Sequence, residues 1–300
     1  MAKIVLAIDI GGSKIRGGLI TKKGEIKKKI EEKTPNKGNS GRVLTKKILE
    51  IAEKLYNPSI IGIGVGSAGL LNLKKGIISN PTNIFFDKVE VVKPLRKKFS
   101  KKVTLLNDGS AGLLGEIYFG ENKNCKNAVY ITISSGIGGG VMVNGKLLFG
   151  KEGNAGEIGH MIVETKYNLP CSCEQGKNHW EAYCSGINLP RFLRIFSGLK
   201  IKKTEDIFSE ARKGSVKVLN FLEEVGKING QGISNVIAAY DPEIIIIGGA
   251  VFLENKKFLL PYLKKNIDNL LTPPKIIPAS LKENAPLLGA AAAVFNKNVI

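Results

Sequence analysis

The chain has 300 residues, 43% of them apolar, enough for two compact lobes each near the usual domain size. Forty-five Lys+Arg against 26 Asp+Glu leave a formal charge of +19, a field that favours anionic partners. The excess is mostly lysine in short patches (Lys22, Lys23, Lys27 to Lys29; Lys97, Lys98, Lys101, Lys102; Lys256, Lys257, Lys264, Lys265) with few aromatics among them. This pattern reads as a solvated surface and argues against a nucleic-acid face, and no apolar run is long enough to span a membrane.

Four cysteines, Cys125, Cys171, Cys173 and Cys184, are too unevenly placed for a disulfide framework. A strand-like run begins at Ile4 and reaches Asp9, which leaves no room for a signal peptide before it. The expected location is the cytoplasm.

In chain order, KIVLAIDIGGSKIRGGLI reads as two strands joined by a glycine turn, with a third strand through KKGEIKKKI. GRVLTKKILEIAEKL has helical apolar spacing, IIGIGVGSAGLL is a buried strand, and VTLLND is a strand before the helical GSAGLLGEIYFG. AVYITISSGIGGGVMVNGKLLFG again gives strand, glycine turn, strand, then a tight Asn144-Gly145 hairpin. A strand–turn–strand plan thus repeats near residues 10 and 136. SGINLPRFLRIF, TEDIFSEARKG and Ser215 to Ala239 are helical, PEIIIIGGA is a strand before a further helix, and PLLGAAAAVF closes the chain as a small-residue helix. The expected division is a lobe of residues 1–113 and a larger one of 114–300, with the terminal helix, about 286–300, crossing back to the first.

The motif Asp9-Ile10-Gly11-Gly12-Ser13-Lys14 ends a strand in an acidic residue followed by glycines. Backbone without side chains lets a phosphate reach N–H donors, and Asp9 is placed to hold a hydrated Mg²⁺. No helix follows the turn, so it is neither a Walker A loop nor a dinucleotide fingerprint. An ordinary glycine hairpin is the alternative. Ser134 to Gly140, including Ser135, Gly136 and Gly138, offers a second cradle, and two cradles in one chain suggest a polyphosphate ligand. Gly248 and Gly249 follow a buried strand, where α/β sheets bind ligands. Adenine or ribose suits that flat surface, although close helix–strand packing explains the glycines equally well.

Asn107-Asp108 follows the apolar VTLL. A carboxylate at the carboxyl end of a strand can deprotonate a hydroxyl nucleophile, whereas either residue can also cap a helix. Glu157 and His160 share a face if their segment is helical, and with Glu181 they suit vicinal hydroxyls of a sugar. His160, Cys171, Cys173 and His179 present two imidazoles and two thiols within twenty residues, a donor set for tetrahedral Zn²⁺. One ring nitrogen of His160 could hold metal while the other faces a hydroxyl. His179 and Glu181, two apart, fall on opposing sides if the segment is a helix. Reduced cysteines in a surface loop are the alternative, and Cys184 competes as a ligand.

Together these residues resemble the ROK family of sugar kinases and repressors along essentially the whole chain. DIGGSK and ISSGIGGG look like its two phosphate motifs, NDGSAGLLGE like its catalytic stretch, GNAGEIGH with CSCEQGKNHWEAYCSG like its signature and zinc loop (residues 160–181), and DPEIIIIGGAV like its adenosine motif. The resemblance implies an α/β, actin-like (ribonuclease H-like), two-lobed sugar kinase fold. It implies Asp108 as general base, Asn107, Glu157, His160 and Glu181 as sugar contacts, and further contacts from Gly69, Thr82 and Asn83. The implied reaction is ATP-dependent phosphorylation of a hexose 6-hydroxyl, with Mg²⁺ and a structural Zn²⁺. Glucose is the leading acceptor; N-acetylmannosamine, N-acetylglucosamine and fructose are alternatives, and polyphosphate is a minor donor option raised by the charge. A sugar-sensing regulator is the non-enzymatic alternative, against which stand Asp108 and the lack of a DNA-binding region before Lys3. The expected partners are sugar and nucleotide, not nucleic acid or membrane, in a homodimer or homotetramer. Two departures stand out: His179 occupies the place of the pattern's third cysteine in a loop one residue longer, and Ser13 replaces the usual Thr.

Overall fold

The computed structural model describes residues 3–35, 40–79, 86, 88–122, 125–268 and 270–296. The chain divides into two compact units. The first holds Met1–Tyr130, Gly140–Gly156 and Ser280–Ile300; the second holds Ile131–Gly139 and Glu157–Ala279. The division expected after residue 113 falls inside a helix that lies wholly in the first unit.

The first unit opens with β1 (Ile4–Ile10), β2 (Lys14–Thr21) and β3 (Ile26–Lys33), an antiparallel meander. Then come α1 (Arg42–Leu55), β4 (Ile60–Ser67), β5 (Leu71–Asn72), β6 (Ile77–Ser79), β7 (Lys88–Glu90), α2 (Val92–Phe99), β8 (Val103–Asn107) and α3 (Asp108–Phe119). Strands β4 and β8 extend the sheet in parallel, giving the order β3-β2-β1-β4-β8, while β5, β6 and β7 form a small separate sheet. Strand side chains alternate between faces, and both faces of β1 are covered. Leu6, Ile8 and Ile10 pack with Leu44, Ile48 and Ile51 of α1 and Leu95 of α2. Val5 and Ala7 pack with Leu287, Ala290 and Ala291 of the terminal helix. Each fully buried Leu or Ile contributes about 1.5–3 kcal/mol.

The chain continues with β9 (Ala128–Ile133), β10 (Ile137–Val143), β11 (Lys146–Leu147), α4 (Glu181–Cys184), α5 (Leu189–Ser197), α6 (Thr204–Arg212), α7 (Val216–Tyr240), β12 (Ile244–Gly248), α8 (Ala250–Lys265), β13 (Lys275–Pro278) and α9 (Ala285–Phe295). The second five-stranded sheet runs β11-β10-β9-β12-β13. In chain order this is third, second, first, fourth, fifth, the same order as the first sheet. Asn144 and Gly145 both have positive φ, 51° and 76°, as the expected hairpin turn requires.

Helix α9 lies in the first unit against α3, β1 and β4. Its small residues permit this: a methyl group on Gly289 would overlap the Ala111 carbonyl of α3. The buried Glu116 of α3 also accepts bonds from Ser280 Oγ (2.6 Å) and Leu281 N (2.8 Å), fixing the segment that leads into α9. Among the described residues no helix is long and apolar enough to cross a membrane.

Candidate active site

In the first unit, the turn between β1 and β2 is drawn tight by a bond from Gly11 N to the Lys14 carbonyl, 2.9 Å, and by Thr34 Oγ1 donating to the Gly11 carbonyl, 2.6 Å. Asp9 is buried at the end of β1 and pairs across the ladder with Arg16. Arg16 donates to Asp9 Oδ2 (3.3 Å), Glu31 Oε2 (3.1 Å) and Glu283 Oε2 (3.3 Å). Burial pushes Asp9 up to about 7, with Arg16 pulling it down and the nearby charge of Asp108 raising it further. Lys14 meets Glu31 at 2.5 Å on the surface. Gly12 and Ser13 complete the turn, and the Ser13 carbonyl accepts from Thr34 N. Arg16 was not among the residues expected from sequence, yet a ladder that closes Ile10 on Ile15 must set Asp9 opposite position 16.

Asp108 is the first residue of α3, at the carboxyl end of β8. Both sequence readings of Asn107-Asp108 meet here, because Asn107 is the helix cap. Its Oδ1 accepts from Gly109 N at 2.9 Å. Asp108 Oδ1 accepts from the same N–H at 2.9 Å. Burial raises the Asp108 carboxyl above its ordinary range, and backbone donors partly offset this. A carboxylate so raised is a stronger base. Gly69, after β4, has φ of 87°. Thr82 and Asn83 lie outside the described residues.

In the second unit, the turn between β9 and β10 carries Ser135, Gly136 and Gly138. Gly186 N donates to the Ser134 carbonyl (2.7 Å) and Ile187 N to that of Ser135 (3.2 Å), which fixes the turn from the loop after α4. Gly248 ends β12, and Gly249, at φ 88°, precedes α8. Glu157 to His160 form a single 3₁₀ turn, and Gly159 allows it to lie against the Ile137 carbonyl. Glu157 Oε2 and His160 Nε2 stand 3.8 Å apart, so these two do share a face. Glu181, only 6% exposed, accepts from Ile137 N at Oε2 (2.8 Å) and from Ser172 Oγ at Oε1 (3.2 Å). His179 precedes the four-residue α4 instead of lying within it. Its separation from Glu181 therefore comes from loop geometry and not, as expected, from opposite helix faces.

His160, Cys171, Cys173 and His179 each bring one donor atom into a group within 4.8 Å of one another. The two Nδ1 atoms are 3.2 Å apart, Cys173 Sγ is 3.4 Å from His179 Nδ1, and Cys171 Sγ is 3.9 Å from His160 Nδ1. Thus His160 turns Nδ1 to the thiols and Nε2 to Glu157. Burial pushes Cys171 up to about 11 and lowers His179, the latter helped by His160. Cys184 is buried elsewhere, with its Sγ directed to the Val225 carbonyl, and takes no part.

The sequence profile of the ROK family matches residues 5–297. The chain belongs to the ROK family. This ROK chain is 34% identical to the glucokinase of Pyrobaculum calidifontis over 297 residues, covering 98% of the chain and 96% of the relative. The ROK hexokinase from Thermus thermophilus matches with a TM-score of 0.81 at 28% identity, covering 97% of this chain and 98% of that one. A ROK glucokinase from Streptomyces griseus, solved in complex with glucose and AMPPNP, matches at 0.79 and 25% identity, over 96% and 98%. The fold is the actin-like α/β fold that the motifs implied.

Proposed function

We propose that the protein is an ATP-dependent hexokinase that phosphorylates the 6-hydroxyl of glucose or a related aldohexose. The observation that carries this reading is Asp108, a half-buried carboxyl with a raised proton affinity at the carboxyl end of β8, in a chain similar throughout to glucokinases. Asp108 takes the proton of the sugar hydroxyl. The freed oxygen forms a bond to the γ-phosphorus as the bond to the β-phosphate oxygen breaks, and ADP leaves with that electron pair. Backbone donors of the Gly11–Lys14 turn and of the Ser134–Gly138 turn suit phosphate oxygens, and the end of β12 at Gly248 and Gly249 suits the adenosine. Asn107, Glu157, His160 and Glu181 are the proposed sugar contacts.

Asp9 would hold Mg²⁺ through water, a use that fits a buried carboxylate whose ionised form needs a cation nearby. The ion supplies charge neutralisation on the phosphates. The cysteine–histidine group fits Zn²⁺. Tetrahedral bonds of about 2.0–2.3 Å set donor–donor edges of about 3.3–3.8 Å; three of the donor pairs stand 3.2 to 3.9 Å apart and all lie within 4.8 Å. Cys171, Cys173, His160 and His179 would hold it, and it would supply a fixed frame for the loop.

A coupled ADP-release assay over glucose, mannose, fructose, N-acetylglucosamine and N-acetylmannosamine tests the reading, with polyphosphate in place of ATP as a donor control. Fastest turnover on an aldohexose with ATP is expected. Turnover on none of the sugars overturns the kinase reading, and preference for an N-acetyl sugar overturns the acceptor. Light scattering tests the expected homodimer or homotetramer.

A further inference from the structure

Glu181 is a buried carboxylate with both oxygens engaged, and its two partners come from separate loops of the second unit. Ile137 N, at the β9–β10 turn, holds Oε2 at 2.8 Å. Ser172, the residue between Cys171 and Cys173, holds Oε1 at 3.2 Å. The backbone of Glu181 is fixed as well: its carbonyl accepts from Asn188 Nδ2 at 3.1 Å, and Asn188 Nδ2 also reaches Ser185 Oγ at 2.9 Å. What remains loose in a glutamate so anchored is the rotation of the terminal carboxylate, a broad torsion with no sharp staggered wells. One hydrogen bond leaves the plane free to turn about that bond; the second sets it.

We propose that Ser172 is a positioning residue for sugar binding, orienting the Glu181 carboxylate and tying it to the loop that carries Cys171 and Cys173. This rests on the reading of Glu181 as a sugar contact. Each carboxylate oxygen has two acceptor directions, so a single bond to Ile137 N and a single bond to Ser172 leave one direction on each oxygen for vicinal hydroxyls. Ser172 is exposed whereas Glu181 is buried, so the hydroxyl joins a buried acid to the surface of the cysteine loop. An ordered cysteine loop holds Ser172 in place and the sugar meets a preset carboxylate; a disordered loop lets the carboxylate turn. Affinity for the sugar is thereby coupled to the order of the loop. No step of the phosphoryl transfer passes through Ser172, so its effect falls on sugar affinity.

The test compares Ser172→Ala, Ser172→Thr, Glu181→Ala and the Ser172→Ala/Glu181→Ala double variant. It reads glucose KM, ATP KM, kcat, zinc content of the purified protein, and glucose binding followed by fluorescence of Trp180, the one tryptophan of the chain. Loss of an ordinary hydrogen bond made by an exposed hydroxyl should raise the glucose KM and dissociation constant about threefold to tenfold in Ser172→Ala. The expected pattern keeps kcat, ATP KM and zinc content at the wild-type level, restores glucose KM in Ser172→Thr, and shows no further loss in the double variant beyond Glu181→Ala. A wild-type glucose KM in Ser172→Ala, an additive loss in the double variant, or zinc loss on removing the hydroxyl overturns the positioning role. If Glu181→Ala itself leaves glucose KM unchanged, the sugar-contact reading of Glu181 fails, and the Ser172 role falls with it.

Discussion

Arg16 faces Asp9 across the β1–β2 ladder and donates to its Oδ2 at 3.3 Å. Glu31 and Glu283 hold the same guanidinium, so its direction is set from three sides. The pair is unequal to its task in the free protein, because burial still pushes Asp9 up to about 7 against the pull of Arg16.

That imbalance sets a pH dependence. A folded-state value above the unfolded one means the folded chain keeps a proton that the unfolded chain releases near pH 4. The stability this proton brings is complete below about pH 4 and lost as pH rises through about 7. Asp9→Asn removes the titration. Its urea midpoint, without nucleotide or metal, should therefore fall less between pH 5 and 8 than that of the wild type. Parallel curves for the two proteins would contradict the buried, raised carboxyl.

Asp108→Asn separates catalysis from folding. The amide keeps an oxygen to accept from Gly109 N, and the helix cap resides in Asn107 and not in Asp108. Thermal unfolding should stay close to wild type. Loss of a general base should lower kcat by about 10²–10⁴-fold, with glucose binding by Trp180 fluorescence retained. Wild-type kcat would end the assignment.

How much of this was legible in the sequence depends on the range of the interaction. The strand–glycine–strand units near residues 10 and 136, the Asn144-Gly145 turn and the long α7 are set by local periodicity and turn chemistry, and they stand where expected. The short β5, β6 and β7, the eight-residue α2 and the edge strand β13 were not anticipated, since segments this brief depend on partners distant in sequence. The same holds within the site. His160, Cys171, Cys173 and His179 gather as their spacing allowed. The bonds from Ser172 and Ile137 to Glu181 join residues 9 and 44 positions apart and required the fold. The opposing sides expected of His179 and Glu181 held only if their segment were a helix, and α4 begins only at Glu181; His179 pairs instead with Ile162 in an isolated bridge.

The cysteine–histidine group carries a metal prediction with a sign. Burial pushes the Cys171 thiol up to about 11, the Cys173 thiol and the Glu181 charge adding to it, so at neutral pH a ligand thiolate forms only as metal displaces the proton. Zinc should therefore bind more tightly at pH 8 than at pH 6. Protein purified without chelator should contain about one zinc per chain, and Cys173→Ala should lose it along with several degrees of thermal stability. A zinc-free wild-type protein by metal analysis would overturn the assignment.

Two glycines offer a paired test of the adenosine end. Gly249 has φ of 88°, and a side chain there would overlap the Ile133 backbone beneath it. Gly145 has a similar φ of 76°, but nothing lies within 4 Å of where its methyl group would stand. Both positions charge an L side chain the cost of positive φ, about 1–2 kcal/mol. Only Gly249 adds a steric collision with strand β9. Gly145→Ala should therefore cost about 1 kcal/mol in urea denaturation and leave ATP KM unchanged. Gly249→Ala should cost at least about 3 kcal/mol or displace the start of α8, with ATP KM raised in whatever folded protein is recovered. Equal losses in the two variants would mean that backbone strain alone, and not the close approach to Ile133, accounts for glycine at the end of β12.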